Sequence, residues 1–516
     1  MLRIKATESP LGLPTAEGIL RELCAAAGIP LSGKDASVEL VYGNESAPTG
    51  ASDASILIPS LPELMLPDIH YSEIDGNTFP ILYPSREETG GAPDLFIADQ
   101  TTVRIGFDLP LAAYHLLAGV DEETAAARDK HGRVRRGDMP RWYYEASKGP
   151  IVTYYVDILV EAYETACAAA GVPPVRVARW PGGAPYAVVV SHDVDQLTNY
   201  NRRERLKSVV GSLARSKKPP VWDFISRERS YDTLDSIVNL EAKYGAKSTF
   251  FIGAVRRGGL DFNYSLEQVH TLLDDIAATG AEVGLHSSYY CDGPYQLAEE
   301  VSALSDAVGA EVKGVRGHYL RTAPGRLWLW AGDAGLEYDA SLGYFDDVGF
   351  RRMHCLPFAA LSDDGTTAGV YEVPTTLMDG TLFQHLRFNT DEATKTALEL
   401  QYKVKTVGGL FSVLWHYRAF PGGQYPEWAE VLEAILAQAA SDGACFLTHA
   451  EAVEQRRNWA AFGTSLTKRG ESVDAILSGA PGTSVVIRDG WSAGDKRDRT
   501  LTVPPTGELK VTFERT

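Results

Sequence analysis

A short apolar run in the middle of the chain ends in a histidine and two aspartates. The stretch is YAVVVSHDVDQ, from Tyr186 to Gln196. Its valines predict a buried β-strand, because a strand covered on both faces is apolar along its length. His192, Asp193 and Asp195 follow at its carboxyl end, and in an extended backbone the two aspartates project to the same side. The pattern predicts a strand that presents two carboxylates at one edge of a sheet.

Four further strand-like segments end in polar side chains of the same kind. These segments are EVGLH, EVKGVRGH, LEYDA and FSVLWH, and they contribute His286, Arg316, His318, Asp339 and His416. In parallel β/α folds the carboxyl ends of the strands share one face, where active sites are built. We therefore expect these side chains to converge with the two aspartates of the first strand.

This set of side chains has the chemistry of a metal-dependent hydrolase. Two neutral imidazoles and one carboxylate bind Zn²⁺ or a similar ion and leave a position for water. A second carboxylate can act as general base and a further histidine as general acid. Each residue also has a structural alternative, as a turn cap, a loop residue or a hydrogen-bonded core residue. Convergence from five strands favours the catalytic interpretation.

Eight short apolar runs recur along this region, and helical segments separate several of them. The runs are AVVVS, STFFI, EVGLH, EVKGVR, LEYDA, VYEVP, FSVLW and ACFLT. Strands that alternate with helices predict a parallel sheet. About eight such units over roughly 270 residues predict a closed β/α barrel. A doubly wound open sheet is the alternative, although no glycine-rich phosphate loop follows the first strand.

The regions on either side of the barrel predict two further parts. We predict an N-terminal α/β accessory domain, the barrel and a small β-rich C-terminal appendage, over residues 1–180, 181–460 and 461–516. The N-terminal part shows no chemical motif. His70, His115 and His131 are isolated there, and we expect surface or structural roles for them.

Composition and charge exclude several classes of function. The 516 residues have a net charge of −19, which argues against nucleic acid as a partner because phosphate contacts need clustered lysine and arginine. The basic stretch from Asn201 to Lys218 is expected to be a solvated helix face and loop. Five widely spaced cysteines indicate a reducing compartment. Neither a signal peptide nor a membrane span is recognisable, so we expect a cytoplasmic protein.

The motifs at the strand ends resemble those of the polysaccharide deacetylases of the NodB-homology type, carbohydrate esterase family 4. The resemblance covers about residues 184–455: SHDVD stands in the place of the first family motif, KSTFFI is similar to the next strand, and GAEVGLHSS is similar to the second motif. It implies a distorted (β/α) barrel of this type. It also implies a metal-dependent hydrolase that removes an N-acetyl or other N-acyl group from an amino sugar or a sugar-containing intermediate.

The resemblance also implies roles for individual residues. Asp193 matches the catalytic base and Asp195 a metal ligand. Arg316 resembles the arginine that orients the base. His416 resembles the general acid, and Asp339 resembles the acid that orients that histidine.

The second motif departs from the family pattern. The family has H-[ST]-x-x-H, whereas HSSYY retains His286 and has Tyr290 in place of the second histidine. We infer that His318, at the end of the next strand, replaces the missing ligand. The predicted metal site is then Asp195, His286 and His318, holding a divalent ion such as Zn²⁺, with Ni²⁺, Co²⁺, Mn²⁺ or Fe²⁺ as alternatives.

Two other functions stay open at this point. The same barrel suits a hydrolase of a cyclic amide, a ureide or an O-acyl ester. The missing histidine also suggests a catalytically inactive carbohydrate-binding or scaffold protein. The retained Asp193, Arg316 and His416 favour an enzyme, because a binding protein needs neither a base nor an acid. In each case we expect a small-molecule or oligosaccharide partner, and the sequence indicates no particular oligomeric state.

Overall fold

The structure is a computed structural model, and most of the chain is described in it. The described residues are 1–32, 36–43, 53–61, 69–74, 77–82, 96–99, 101–198, 231–321, 326–362, 366–470, 472–489 and 497–514. The basic stretch from Asn201 to Lys218 lies outside them.

The N-terminal part is an α/β unit built on a mostly parallel sheet. Its strands are β1 (Leu2–Ala6), β2 (Val38–Tyr42), β3 (Ala54–Ile58), β4 (Ile69–Ile74), β5 (Asn77–Leu82), β6 (Phe96–Asp99) and β7 (Thr102–Ile105). Its helices are α1 (Leu13–Ala26), α2 (Leu109–Ala118), α3 (Val120–Thr124), α4 (Arg141–Ala146) and α5 (Ile151–Ala169). The sheet order is β1-β2-β3-β7-β6, with β6 antiparallel, and β4 and β5 pair separately.

A buried aspartate connects helix α2 to this sheet. The Asp108 carboxylate accepts hydrogen bonds from the backbone N–H groups of Leu111 (3.0 Å) and Leu61 (2.8 Å). The Tyr42 hydroxyl on β2 donates a third bond of 3.0 Å. Asp108 thus caps the helix and satisfies one of its free N–H groups. Strand, loop and helix meet at this one side chain.

The central part is one large sheet covered by helices. Its strands are β9 (Ala187–Val194), β10 (Ser248–Ile252), β11 (Glu282–Ser287), β12 (Gly314–Gly317), β13 (Tyr338–Asp339), β14 (Phe358–Leu361), β15 (Thr367–Glu372), β16 (Leu377–Met378), β17 (Leu410–Leu414) and β18 (Cys445–Leu447), and β8 (Val175–Val177) precedes them. Its helices are α6 (Leu234–Tyr244), α7 (His270–Thr279), α8 (Pro294–Val308), α9 (Arg326–Asp333), α10 (Thr390–Thr406), α11 (Ala429–Ser441) and α12 (His449–Ala461).

The strands of this sheet are parallel apart from β14. The order is β14-β15-β13-β12-β11-β10-β9-β17-β16. β17 pairs with one edge of β9. The other edge of β9 is shared by two strands: β18 pairs with its first half and β10 with its second half. The sheet curls into a half-barrel, which confirms the predicted distorted (β/α) barrel.

The sheet is not closed, contrary to the simplest expectation from eight strand–helix units. Within the described residues it ends at β14 on one side and at β16 on the other. All eight predicted runs contain strands, whereas β14 and β16 were not predicted. β16 has only two residues, so its sequence shows no periodicity. These two strands are the open edges of the sheet.

Strand β9 is buried along its whole length and is held at its end by a histidine. All eight of its residues are buried, as its valine run predicts. The His192 ring donates from Nδ1 to the carbonyl oxygen of Trp415 (2.8 Å), and its Nε2 lies 2.9 Å from Glu241 Oε1. Both ring nitrogens are therefore occupied. His192 secures β9 to its neighbours and is not available as a metal ligand.

The C-terminal part consists of two small antiparallel sheets. Its strands are β19 (Gly463–Arg469), β20 (Ser472–Ser478), β21 (Ser484–Asp489), β22 (Arg497–Thr502) and β23 (Glu508–Glu514). One sheet has the order β19-β20-β23 and the other has the order β22-β21-β8. The second sheet joins the C-terminal part to a strand that precedes the barrel.

Among the described residues, no helix combines the length and the apolar character needed to cross a membrane.

Candidate active site

Six of the seven predicted site residues lie together at the carboxyl edge of the central sheet. They come from the ends of β9, β11, β12 and β17 and the residues just beyond: Asp193, Asp195, His286, Arg316, His318 and His416. Parallel pairing causes this convergence, because neighbouring strands then end on the same side. The polar residues that are scattered along the chain become one cluster.

The first group in this cluster is an aspartate between two histidines. Asp195 Oδ1 lies 3.2 Å from His286 Nε2 and 3.6 Å from His318 Nε2. One ligand atom from each residue lies within 4.8 Å of the other two, an arrangement that can hold a metal ion. The His286 Nδ1–H donates to the carbonyl oxygen of Arg316 (3.1 Å), which leaves Nε2 free to bind a metal. The three side chains are those predicted from the sequence.

The protonation of His318 and Asp195 fits a metal site, whereas Asp193 and Asp195 outweigh burial and raise the pKa of His286. Burial lowers the pKa of His318 to about 4, so its ring is neutral near pH 7, as a metal ligand must be. Burial opposes ionisation of Asp195, but His318, His286 and His416 hold the pKa of its carboxyl far below the ordinary range. A carboxylate and two imidazoles match the donor set of a catalytic Zn²⁺ site.

The second group is an aspartate held by a buried arginine. Arg316 Nη1 donates to Asp193 Oδ1 (2.9 Å) and to Ser191 Oγ (2.7 Å), while its Nε donates to the carbonyl oxygen of Ala340 (2.9 Å). Arg316 is fully buried. Such charge-assisted bonds are short and directional, so the Asp193 carboxylate is fixed in orientation. Its other oxygen, Oδ2, lies 3.9 Å from His286 Nε2 and faces the candidate metal site.

The third group is a histidine paired with a buried aspartate that the sequence analysis did not identify. His416 Nδ1 donates to Asp379 Oδ1 (2.6 Å), and its backbone N–H donates to Asp379 Oδ2 (2.9 Å). His416 Nε2 lies 3.5 Å from Asp195 Oδ2. Burial lowers the pKa of His416, but Asp379 and Asp195 outweigh it and raise the pKa to about 9. The ring is therefore protonated near neutral pH.

The expectation that Asp339 orients His416 is wrong. Asp339 lies on β13, where its Oδ1 accepts hydrogen bonds from the backbone N–H of Ser341 (3.0 Å) and from the Ser341 hydroxyl. Asp379 takes the predicted role because it follows β16, which pairs directly with β17. The two-residue length of β16 explains why the sequence pattern did not reveal it.

The Asp379→Asn variant should lower kcat strongly with little change in metal content. Asparagine retains a hydrogen-bonding group beside His416 but removes the charge that keeps the ring protonated and oriented. We expect a loss of about a hundredfold, within the range for general acid–base groups, and a smaller loss for Asp339→Asn. Steady-state kinetics on both variants compare the two carboxylates. A larger effect at Asp339 would contradict the assignment.

Asp339 instead belongs to a buried pair of carboxyl groups. Burial raises the pKa of Asp339, and burial together with Asp339 raises that of Glu372 well above the ordinary range. Glu372 accepts hydrogen bonds from the Trp328 indole N–H (2.8 Å) and the Leu342 backbone N–H (3.1 Å). Two adjacent buried carboxyl groups cannot both ionise, so we expect the pair to retain a proton at neutral pH.

This pair contributes stability that is lost as the pH rises, in addition to the contributions of the other ionisable groups. At this pair the folded state retains protons that the unfolded chain releases above about pH 4, so the pair's contribution to the free energy of unfolding should fall from that pH upward. The expected loss is on the order of 1–3 kcal/mol between about pH 4 and 7. Urea unfolding across this range measures it, and Asp339→Asn should flatten the slope. An unchanged slope in the variant would rule out this pair as the cause.

Aromatic side chains border the site. Tyr319 is 39% exposed and stacks on His318, with ring centroids 4.7 Å apart. Tyr289 meets it edge-on at 5.5 Å. Trp415, next to His416 in the sequence, is fully buried in the core. His131, expected to be isolated, is 3.0 Å from the Tyr289 hydroxyl and stacks on Tyr319.

The protein therefore has a curled, mostly parallel β/α sheet with three polar groups at its carboxyl edge. These are an Asp/His/His cluster, an Asp–Arg pair and an Asp–His pair. No protein-family model matches the chain. No curated protein matches it either.

Several solved structures are similar to the chain, and deacetylases recur among them. The carbohydrate deacetylase Agd3 has 10% identity and a TM-score of 0.40, with 100% of this chain and 98% of that chain covered. A probable polysaccharide deacetylase from Pseudomonas aeruginosa has 16% identity and a TM-score of 0.37, with 56% and 96% covered. The PuuE allantoinase has 15% identity and a TM-score of 0.38, with 54% and 92% covered. These matches include the group that the sequence resembles.

Proposed function

We propose that the protein is a metal-dependent hydrolase that removes an N-acetyl or other N-acyl group from an amino sugar or a sugar-containing intermediate. The observation that supports this most directly is the placement of three groups around one point. The candidate metal cluster of Asp195, His286 and His318 lies beside a carboxylate fixed by an arginine and a protonated histidine fixed by an aspartate. Amide hydrolysis needs an electrophile, a base and an acid in this kind of arrangement.

The metal site in this proposal consists of Asp195, His286 and His318. A bound divalent ion would polarise the amide carbonyl and make a water molecule more acidic. The carboxylate supplies negative charge, and the two imidazoles complete a three-residue site that leaves a position for substrate or water. We propose Zn²⁺ as the ion, since this donor set suits it.

Asp193 is the proposed general base. Its Oδ1 is occupied by Arg316 (2.9 Å), so only Oδ2 is available to take a proton from the attacking water. Oδ2 faces the metal cluster, where that water must approach the carbonyl carbon. Arg316 also holds the Asp193 carboxylate in a fixed orientation, so that the base is already positioned for the attacking water.

His416 is the proposed general acid. Amide nitrogen is a poor leaving group unless it is protonated as the carbon–nitrogen bond breaks. His416 Nε2 carries a proton near neutral pH and points to the same cluster, 3.5 Å from Asp195 Oδ2. Donation of this proton releases the free amine, and Asp379 stabilises the ring through its Nδ1–H.

An amino sugar is the proposed substrate because aromatic side chains lie at the edge of the site. Tyr289 and Tyr319 present partly exposed aromatic surface beside the metal cluster, and such amphipathic groups suit the faces of sugar rings. The retained base, acid and arginine also argue against a catalytically inactive scaffold, since none of them is needed for binding alone.

Metal analysis and a substrate panel test this function. Elemental analysis of the wild-type protein after dialysis should find about one divalent ion per chain. The metal-loaded protein should release acetate from N-acetylated sugars faster than from O-acetylated sugars, and should leave small cyclic imides intact. Preference for imides or esters would replace the proposed substrate class. Failure to bind any added divalent metal would rule out the metal-dependent mechanism.

A further inference from the structure

His318 lacks the hydrogen bond that usually orients a metal-binding histidine. Such histidines donate their second ring N–H to a carbonyl or carboxylate, which fixes the ring for the metal. His286 does so through the Arg316 carbonyl. The Nε2 atom of His318 faces Asp195, and its Nδ1 is buried without a hydrogen-bond partner in the part of the chain that the structure describes. Its ring must be oriented in another way.

Aromatic stacking supplies that orientation. The His318 ring lies between His286 and Tyr319, with centroid distances of 4.7 Å to each and interplanar angles of 25° and 18°. Stacking on both faces restricts tilting and rotation of the His318 ring, which is the role that a hydrogen bond has at other metal-binding histidines. His286 is itself a proposed ligand, so Tyr319 is the support that comes from outside the metal site.

Tyr319 has an unusual backbone that needs support of its own. Its φ of 63° and ψ of 19° lie in the left-handed region, which residues with a side chain rarely adopt and which surrounding contacts must maintain. Arg133 Nη1 donates to the Tyr319 carbonyl oxygen (2.7 Å). The ring of His131 stacks on that of Tyr319 at 4.8 Å and 25°. Both contacts come from the N-terminal part of the chain.

These two residues belong to a tight turn, Asp129–Arg133, that one aspartate organises. Asp129 Oδ1 accepts hydrogen bonds from the backbone N–H groups of His131 (2.8 Å) and Arg133 (2.9 Å). Asp129 Oδ2 accepts from Arg133 Nε (3.0 Å) and Nη2 (2.8 Å). The Arg133 guanidinium also lies 3.5 Å above the Phe345 ring. The turn is therefore held by its own hydrogen bonds and by contact with Phe345, independently of Tyr319.

We propose that the Asp129–Arg133 turn positions the metal ligand His318 by holding Tyr319 against it. The N-terminal part is then a component of the metal centre, with His131, Arg133 and Tyr319 as positioning residues. This inference rests on the metal site of the proposed function and adds the reason why His318 can serve without a hydrogen-bonded support. It also explains why the 129–133 segment reaches a site built on another sheet.

Metal affinity is the direct test, measured on full-length protein with Zn²⁺ and a competing chelator. Tyr319→Leu removes the ring, and His131→Ala removes the stacking partner from the turn. Each should weaken Zn²⁺ binding by about tenfold or more, the effect expected when the support of a ligand is lost. Tyr319→Phe keeps the ring and should retain wild-type affinity. Lys130→Gln changes an exposed residue of the same turn and is the matched control.

A second measurement excludes a merely structural effect. The absorption spectrum of the Co²⁺-loaded protein reports the geometry around the metal, and it should change in Tyr319→Leu and not in Tyr319→Phe. Tyr319 is partly exposed, so its replacement opens no core cavity, and the metal-free variants should unfold at the wild-type denaturant midpoint.

The outcomes separate this inference from the proposed function. If the wild-type protein binds metal and both Tyr319→Leu and His131→Ala bind it equally tightly, the positioning role is wrong and the proposed function survives. An equal loss in Tyr319→Phe would also overturn it, because the phenol hydroxyl and not the ring would then be responsible. If the wild-type protein takes up no divalent metal, the proposed function and this inference fail together.

Discussion

Replacing Asp193 with asparagine should lower kcat by about 10²- to 10⁴-fold, the range for loss of a general base, while the protein keeps its metal. Asparagine is nearly the same size, and its side-chain oxygen can still accept the 2.9 Å hydrogen bond from Arg316. The group that faces the metal cluster changes from a carboxylate oxygen to an amide, which cannot accept a proton from water. The chemistry is lost and the site's shape is preserved.

Kinetics and metal analysis of the same preparation check this prediction. Metal per chain and the urea midpoint should match the wild-type protein, so that the loss is assigned to chemistry. Asp235→Asn, at an exposed aspartate in the first turn of α6, is the matched control and should keep full activity. Turnover near the wild-type rate in Asp193→Asn would remove Asp193 from the role of base.

Replacing His318 with alanine should abolish tight metal binding and, with it, activity. Only Asp195 and His286 would remain, and two protein ligands are fewer than catalytic zinc sites use. We expect the dissociation constant for Zn²⁺ to rise by more than about a hundredfold, beyond the effect of losing a supporting residue. The result tests whether His318 replaces the histidine that is absent at Tyr290.

Chelator competition and elemental analysis after dialysis measure this loss. His270→Ala, at the exposed first residue of α7, provides a matched histidine control and should bind metal as the wild-type protein does. Stoichiometric metal of unchanged affinity in His318→Ala would show that the ion is held elsewhere. The Zn²⁺ affinity of Tyr319→Leu should lie between that of His318→Ala and that of the wild-type protein.

The site residues that could be predicted from the sequence lie at or just beyond the ends of recognisable strands. Asp193 and Arg316 each lie at the end of an apolar run long enough to be recognised as a strand. Parallel strands end at the same edge of their sheet, so these two residues could be expected to meet. The same reasoning brought His286 and His318 to Asp195. Local pattern and a general rule of topology were sufficient for this convergence, whereas the family resemblance supplied the roles of the individual residues.

Asp379 and His131 show where that reasoning stops. Asp379 follows a strand of two residues, which is too short to show any alternation. His131 is far from the barrel in the sequence and reaches Tyr289 only because two parts of the chain pack together. Asp339 was given the role of orienting His416 by the family resemblance, and Asp379 was not considered.

By itself the sequence determined the parallel sheet, the edge at which its chemistry lies and six of the side chains gathered there. Those features follow from periodicity and strand direction, which are local properties of the chain. The tertiary structure decided which acid pairs with His416, where the sheet opens and how the 129–133 turn reaches His318. Each of these depends on contacts between distant segments, and packing selects such contacts from many that the local sequence permits equally.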